Sequence, residues 1–208
     1  MKKILDKIKS NIQANKSMLI FLIIIGIIGI IIGSILNVAL NETDRNLVSE
    51  YLNNFIVDVK SNNLNYNASL INCLLSNCGY IIFIWLLGIS IIGIPIILFL
   101  LFCKTFVLGF SISSIIANFK LKGCLLSLAY VFPHMVINLI IILFLTIYSL
   151  SLSLKLFMVI IKKQNLDFKN IMNKYLKILI ICIITTIITA LIEVYISPIL
   201  IKFVIGFL

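Results

Sequence analysis

The chain has 208 residues, of which 62% are hydrophobic and 12% charged, and its mean hydropathy is +1.22. These values exclude a water-soluble domain of this size and are typical of an integral membrane protein. The formal net charge is +10, but the lysines flank the apolar runs, so they indicate membrane topology, with some attraction to anionic lipid, rather than nucleic-acid binding.

The N-terminal part of the chain predicts a membrane anchor. Residues 1–17 are basic and are expected in the cytoplasm, because lysine-rich segments stay on that side. The apolar run 18–40 is long enough to cover about 34 Å and to form the first span. It is too long for a signal peptide and lacks a small-residue cleavage site. Gly29 and Gly33 lie in it at a GxxxG spacing, which allows close helix approach.

Residues 41–79 are the longest hydrophilic stretch, and they predict an extracytoplasmic loop. Cys73 and Cys78 are the one close pair among the five cysteines. They are compatible with a disulfide and equally with two free thiols, and no histidine accompanies them as a metal ligand would.

The second predicted span, 80–103, carries no charge but contains Gly88, Ser90, Gly93 and Pro95. A proline inside a helix removes a backbone donor and clashes with the preceding turn. We therefore predict one kinked helix whose small residues accept a neighbouring helix.

Residues 105–161 predict a third and a fourth span with a break near 120–133. In the preferred division, 105–119 crosses outward with Gly109 as a helix-packing residue, and 134–161 returns, with Pro133 at its first helical position. The alternative keeps Lys120 and Lys122 in the cytoplasm, but it needs a turn within 146–153, which contains neither glycine nor proline.

The remaining chain predicts a basic cytoplasmic loop at 162–177, a fifth span at 178–200 and a C-terminal tail at 201–208. The expected fold class is therefore all-α: a polytopic integral membrane helix bundle of about five transmembrane helices with a cytoplasmic N-terminus.

Polar residues inside the spans follow helical spacing. Three stripes at i, i+3 and i+7 are compatible with helix packing and with a wet cavity. Glu193 is the one acidic residue within a predicted span, which makes it a functional candidate. His134 is expected at a similar depth, and we hypothesise that a polar outer rim joins them. The first stripe consists of Ser111, Ser114 and Asn118, the second of Thr146, Ser149 and Ser153, and the third of Thr186, Thr189 and Glu193. The hypothesised rim comprises Pro133, His134, Asn138, Glu193, Tyr195 and Pro198.

Catalytic motifs such as HExxH, GxSxG and a phosphate-binding glycine loop do not occur in the sequence. We therefore expect a non-enzymatic protein with no cofactor and no metal site.

Four stretches together resemble the stage II sporulation protein M family of endospore-forming bacteria. They are FIWLLGISIIGIPIILFLLFCK, GFSISSIIANF, the Phe132-Pro133-His134 element and IEVYISPIL. Some relatives carry a Pro-His-Gly-x-x-Glu element, whereas this chain has Met135 and Asn138 at the glycine and glutamate positions. A role that needs a carboxylate at this element is therefore not expected here.

The resemblance implies a membrane scaffold for engulfment of the forespore. Such a protein recruits and anchors two peptidoglycan hydrolases, stage II sporulation proteins D and P, at the sporulation septum in the mother-cell membrane, where they remodel the septal wall. The polar residues alone leave a second possibility, a membrane permease or channel subunit.

Overall fold

The computed structural model describes residues 16–131, 134–162 and 167–206. The predictions for Pro133, for most of the N-terminal segment and for parts of the 162–177 loop and of the C-terminal tail lie outside these residues. Within them the regular structure is helical and contains no strand. The elements are α1 (Lys16–Val38), α2 (Glu42–Ser61), α3 (Tyr66–Gly88), α4 (Gly93–Val131), α5 (His134–Lys162), α6 (Phe168–Leu191), a π-helical turn (Ile192–Ile196) and α7 (Ser197–Gly206).

Five helical segments in the described residues are long and apolar enough to cross a membrane: α1, α3, α4, α5 and the continuous segment Phe168–Gly206. The prediction of an all-α membrane bundle with about five spans is confirmed. The side of the membrane on which the N-terminus lies stays a prediction.

Contacts between the helices give their relative directions. Asn77 of α3 bonds Lys104 of α4 and Asn138 of α5, and Gly88 near the end of α3 accepts a hydrogen bond from Ser153 of α5. Helices α3 and α5 are therefore parallel. Helices α3 and α4 are joined at 89–92 and run antiparallel. Tyr175 of α6 bonds the carbonyl of Trp85, while Cys73 bonds Glu193, so α6 also runs antiparallel to α3.

The predicted second span over 80–103 is wrong as a single helix. α3 ends at Gly88, the chain turns at 89–92, and α4 begins at Gly93. A Cβ atom at Gly93 would overlap the carbonyl group of Leu87, so the close approach requires glycine. Pro95 lies in the first turn of α4, where a missing N–H costs no intrahelical hydrogen bond. Hydropathy does not detect this turn because three of its four residues are isoleucines.

The stretch predicted as the 41–79 loop contains α2 and more than half of α3 instead. Asn62 ends α2 with φ 58°, in the left-handed region that asparagine tolerates. Asn65 caps α3 by accepting a hydrogen bond from the Ala68 N–H at 3.2 Å. The second span therefore begins at Tyr66, although polar residues are interspersed along its first turns.

The segment 105–119 is part of α4, which breaks at Lys120 (φ 54°, ψ −129°). After the break the chain turns back, so that Gly123 contacts the backbone of Ile115 and Ile116. α5 then runs unbroken through 146–153, where the alternative topology needed a turn.

The last predicted span also has different bounds. α6 begins at Phe168 rather than 178, because the Asp167 carboxylate caps it by accepting from the Asn170 N–H at 3.3 Å. α7 continues to Gly206, so much of the predicted tail is helical. Of the lysines of the predicted basic loop that the structure describes, Lys162 ends α5, and Lys169, Lys174 and Lys177 lie on the first three turns of α6.

Apolar side chains form two separate clusters along the bundle. One includes Leu22, Ile81, Leu101 and Leu145 and lies toward the 89–92 turn, which we call the turn end. The other lies at the opposite end, beneath α2, and we call this the α2 end; it contains Val59, Ile115, Leu126 and Ile201. The space between the two clusters holds the polar site.

Candidate functional site

The polar site lies near the middle of the membrane-spanning region. Lys104 follows Leu101 of the first apolar cluster and precedes Ile115 of the second. Eleven residues separate it from Gly93 at the start of α4, a rise of about 16 Å. Since the hydrocarbon layer is about 30 Å thick, this places the Lys104 backbone near mid-depth.

The site surrounds a cavity of about 90 Å³. This volume is enough for a few water molecules, and polar groups from several elements reach it. The polar lining residues are Asn77 of α3, Lys104 of α4, His134 and Asn138 of α5, and Glu193 of the π-helical turn.

Asn77 is the centre of the hydrogen-bond network. Its Oδ1 accepts from Lys104 Nζ at 3.2 Å and from Asn138 Nδ2 at 3.0 Å. Its Nδ2 donates to Cys73 Sγ at 3.3 Å, and the Cys73 thiol donates to Glu193 Oε2 at 3.0 Å. One ammonium and one carboxylate are thus connected through neutral groups, which balances the charge inside the membrane region.

His134 is 2% exposed, and its Nδ1 hydrogen-bonds Ser197 Oγ at 2.8 Å. Its ring also meets the Tyr130 ring edge-on, with centroids 5.8 Å apart. Two buried atoms at the cavity, His134 Nε2 and Asn138 Oδ1, have no hydrogen-bond partner among the described residues. A buried polar atom without a partner is costly, so these two positions favour a polar occupant of the cavity.

The π-helical turn shapes the Glu193 side of the site. Pro198 has no N–H to donate to the carbonyl of Val194, and the backbone widens into a π turn directly before it. Such turns are frequent at functional sites. Here the turn lets Glu193 and Ser197 contact inward-facing groups, while Tyr195 stacks outward on Tyr66 with ring centroids 5.7 Å apart.

The hypothesised rim is thus an interior site in part. The structure brings His134, Asn138 and Glu193 to one cavity, whereas Tyr195 and Pro198 do not line it. Sequence reasoning did not single out Lys104, which directly follows the predicted second span 80–103. The available signal was that Lys104 is the single charge between 80 and 119.

The predicted packing glycines lie between helices of this chain. Gly29 and Gly33 of α1 face α4, and Gly109 of α4 faces the backbone of Ile30. Ser34 Oγ donates to the Gly109 carbonyl at 3.2 Å, which ties the two parallel helices together. Gly88 lies against Ser149 of α5 and the Tyr175 hydroxyl.

The second and third polar stripes are buried in helix contacts. Thr146, Ser149, Ser153 and Thr186 are fully buried and Thr189 nearly so. Ser149 shares a hydrogen bond with the Tyr175 hydroxyl at 2.7 Å, and Ser153 Oγ donates to the carbonyls of Gly88 and Ser90, each at 2.9 Å. These two stripes therefore serve mainly as helix-packing surfaces.

The first stripe lies toward the α2 end. Ser114 Oγ donates to Asn37 Oδ1 at 2.9 Å, and Asn118 Oδ1 accepts from Ser49 Oγ of α2 at 2.7 Å. The stripe therefore links α4 to α1 and to α2.

Cys73 and Cys78 are both free thiols in this structure and lie on the same helix. In the described residues no group of three histidine, cysteine or acidic side chains is arranged to hold a metal ion.

These features define a polytopic helical membrane protein with a charge-balanced polar site inside its bundle. The family model described as Stage II sporulation protein M matches residues 17–198, which is most of the chain, and the chain belongs to this family. It is therefore a sporulation-related, multi-pass membrane protein. No curated protein and no solved structure matches it in the corresponding comparisons.

Proposed function

We propose that this protein is a non-enzymatic scaffold of the mother-cell membrane that recruits and anchors peptidoglycan hydrolases at the sporulation septum. The partners are stage II sporulation proteins D and P, as the family likeness implies, and their task is septal wall remodelling during engulfment.

The observation that carries the proposal is the position of α2. This helix is attached to the bundle by Val59, which packs with Ile115 and Ile201, and by the Ser49–Asn118 hydrogen bond. Its opposite face remains exposed, including Glu50, Asn53 and Val57. If the N-terminus is cytoplasmic, this face is directed toward the wall, where an anchored hydrolase has its catalytic part.

The packing of the bundle also supports a scaffold. Ser149 and Ser153 of the second buried stripe hydrogen-bond Tyr175 of α6 and Gly88 of α3, whereas Thr186 and Thr189 of the third stripe bond carbonyls of their own helix. Residues that would line a pathway in a transporter are thus used here to hold α3, α5 and α6 in fixed positions.

One observation favours the alternative, a permease or channel subunit. The cavity at Lys104, His134 and Glu193 combines opposite charges with two buried polar atoms that have no protein partner. Polar groups at this depth are the usual ligands of transported ions and protons. The scaffold does not need this cavity, so activity tests at it separate the two functions.

The test is in-cell crosslinking of a tagged full-length chain during sporulation, followed by identification of co-purified proteins. The variant carries Glu50→Arg, Asn53→Arg and Val57→Arg on the exposed face of α2. The matched control carries Lys169→Gln and Lys174→Gln at the turn end. We expect the hydrolases with the wild type and the control, and at least a tenfold lower recovery with the α2 variant.

Equal recovery with all three proteins would remove α2 as the docking surface. Absence of hydrolases from every sample, together with a sporulation defect in Lys104→Gln or Glu193→Gln cells, would favour the transport alternative.

A further inference from the structure

A second cavity, of about 430 Å³, lies at the α2 end of the bundle. Its volume is within the roughly 300–1,000 Å³ range of small-molecule sites. It is bounded by α2, α4 and the start of α7, and its main lining residues are Leu52, Phe55, Phe110, Phe119, Tyr130 and Ile201. It is separate from the polar site, which lies between this end and the turn end.

The lining predicts a hydrocarbon ligand. Aliphatic and aromatic side chains form nearly all of it, and the polar groups of its lining residues are the hydroxyls of Ser111, Ser114, Tyr51 and Tyr130. Ser114 already donates its hydrogen bond to Asn37. A water molecule in a protein cavity needs two to four polar partners, and these few hydroxyls are too sparse to supply them throughout the volume, whereas an alkyl chain gains dispersion contacts with the apolar side chains.

The cavity opens beside α2. Leu47 and Tyr51 line it and are 65% and 76% exposed. Since α2 connects the end of one span to the start of the next, the opening lies where the bilayer meets water, the level of lipid headgroups.

Two lysines follow lining residues directly. Lys120 comes after Phe119 and Lys202 after Ile201, and both are exposed. Lys202 Nζ donates to Asn62 Oδ1 at 3.0 Å, which holds it near the end of α2. The positive-inside rule expects lysines at the turn end, where the lysines of α6 lie. It therefore does not explain Lys120 and Lys202 at the α2 end.

We propose that this cavity binds one acyl chain of an anionic phospholipid, with the phosphate held at Lys120 and Lys202. The charge complementarity selects a phospholipid over an uncharged hydrocarbon, and the apolar depth selects a lipid over a soluble phosphate. Bound lipid fills the space between α2 and the spans and thereby fixes α2 on the bundle. The site concerns lipid and does not depend on the identity of the protein partners.

The test is native mass spectrometry of the full-length protein in detergent, after equilibration with phosphatidylglycerol or with phosphatidylcholine of the same chain length. The cavity variant is Ile115→Trp, and its control is Ile27→Trp on the exposed face of α1. The charge variant is Lys120→Gln with Lys202→Gln, and its control is Lys155→Gln on α5.

We expect one tightly retained phosphatidylglycerol per wild-type chain and per control chain. The cavity variant should retain at least fivefold less phosphatidylglycerol than the wild type. The charge variant should lose the preference for phosphatidylglycerol over phosphatidylcholine. Equal lipid retention in the wild type and the cavity variant would overturn the proposal. The proposal would also be overturned if the cavity variant retained its lipid but lost a co-purified protein, because the cavity would then be occupied by a protein partner.

A second measurement needs no variant. Phosphatidylglycerol with a photoreactive group near the end of its acyl chain should label peptides that contain Phe55, Phe110 or Tyr130. Labelling confined to exposed positions such as Ile27 and Phe21 would show only surrounding lipid and would overturn the proposal even if Ile115→Trp fails to fold.

Discussion

At Gly33, α1 approaches α4 so closely that a Cβ atom would overlap the carbonyl of Phe106. The carbonyl belongs to the backbone and the backbone fixes the Cβ position, so neither atom can move aside by changing a rotamer. The contact is repeated from the other helix at Gly109, which faces Ile30. Close approach of this kind, through small residues, is how membrane helices gain packing energy without a hydrophobic driving force.

Gly33→Ala should therefore destabilise the protein by about 1–3 kcal/mol, the usual cost of overpacking. Gly79→Ala is the matched control, because nothing lies within 4 Å of its added Cβ and alanine is the better helix former. Thermal unfolding of the two purified variants in one detergent measures the difference. Equal melting temperatures would mean that α1 and α4 are not in backbone contact.

Lys104 and Glu193 line the same cavity and are linked through Asn77 and Cys73. Removing one charge leaves the other without compensation in a region of low dielectric constant. We expect Lys104→Gln and Glu193→Gln each to destabilise the protein and the double variant to cost less than the sum, with a coupling of about 0.5–3 kcal/mol.

A double-mutant cycle on detergent unfolding measures this coupling. His134→Asn combined with Lys155→Gln at the turn end is the control pair and should be additive. Additive losses at Lys104 and Glu193 would contradict a shared network.

The residue scale shows what a sequence reveals about such a site. The sequence predicts that His134 and Glu193 lie together, because each is a rare polar residue in an apolar chain and both are expected near one depth. Lys104 directly follows the predicted span 80–103, and a lysine at the end of a span is expected at the membrane surface. Its true depth depends on the 89–92 turn, which converts the end of a supposed span into the middle of another.

At the scale of elements, the turn at 89–92 determines the whole bundle. The Ser90 N–H donates to the Leu87 carbonyl at 3.0 Å, and the Gly93 N–H donates to Ser90 at 3.2 Å. Ser153 of α5 donates to the carbonyls of Gly88 and Ser90, so backbone acceptors within an apolar environment are satisfied.

The turn predicts a large effect on stability at Gly93 and a small one at Pro95, both in the first turn of α4. Gly93→Ala should cost about 1–3 kcal/mol, because the Cβ overlaps the Leu87 backbone. Pro95→Ala should change the free energy of unfolding by less than about 1 kcal/mol, because a proline in the first turn breaks no hydrogen bond. Guanidinium or thermal unfolding of the pair provides the measurement. A large effect at Pro95 with none at Gly93 would restore the single kinked span.

At the scale of the whole molecule, the helix directions place α2 and the 89–92 turn at opposite ends. In a chain without its native cysteines, Asn63→Cys reports on the α2 end and Ile92→Cys, at a position 75% exposed, on the turn end. We expect a membrane-impermeant maleimide to label Asn63→Cys in intact cells and Ile92→Cys only after permeabilisation, since the lysines of α6 favour a cytoplasmic turn end.

Labelling of both positions from the same side would contradict the antiparallel arrangement of α3 and α4. A single span over 80–103 would instead bury residue 92 in the bilayer and prevent its labelling in both conditions.

The sequence by itself determined the class of protein and the number of spans, because both follow from the total length of apolar chain relative to the thickness of a membrane. It also singled out His134, Asn138 and Glu193 as candidates, because their polarity stands out in that background. Only the tertiary structure decided where one span ends and the next begins, since the 89–92 turn, with three isoleucines and one serine, does not interrupt the apolar run. It likewise decided that Lys104 lies inside the bundle and that α2 covers an apolar cavity, because these depend on contacts between residues far apart in the chain.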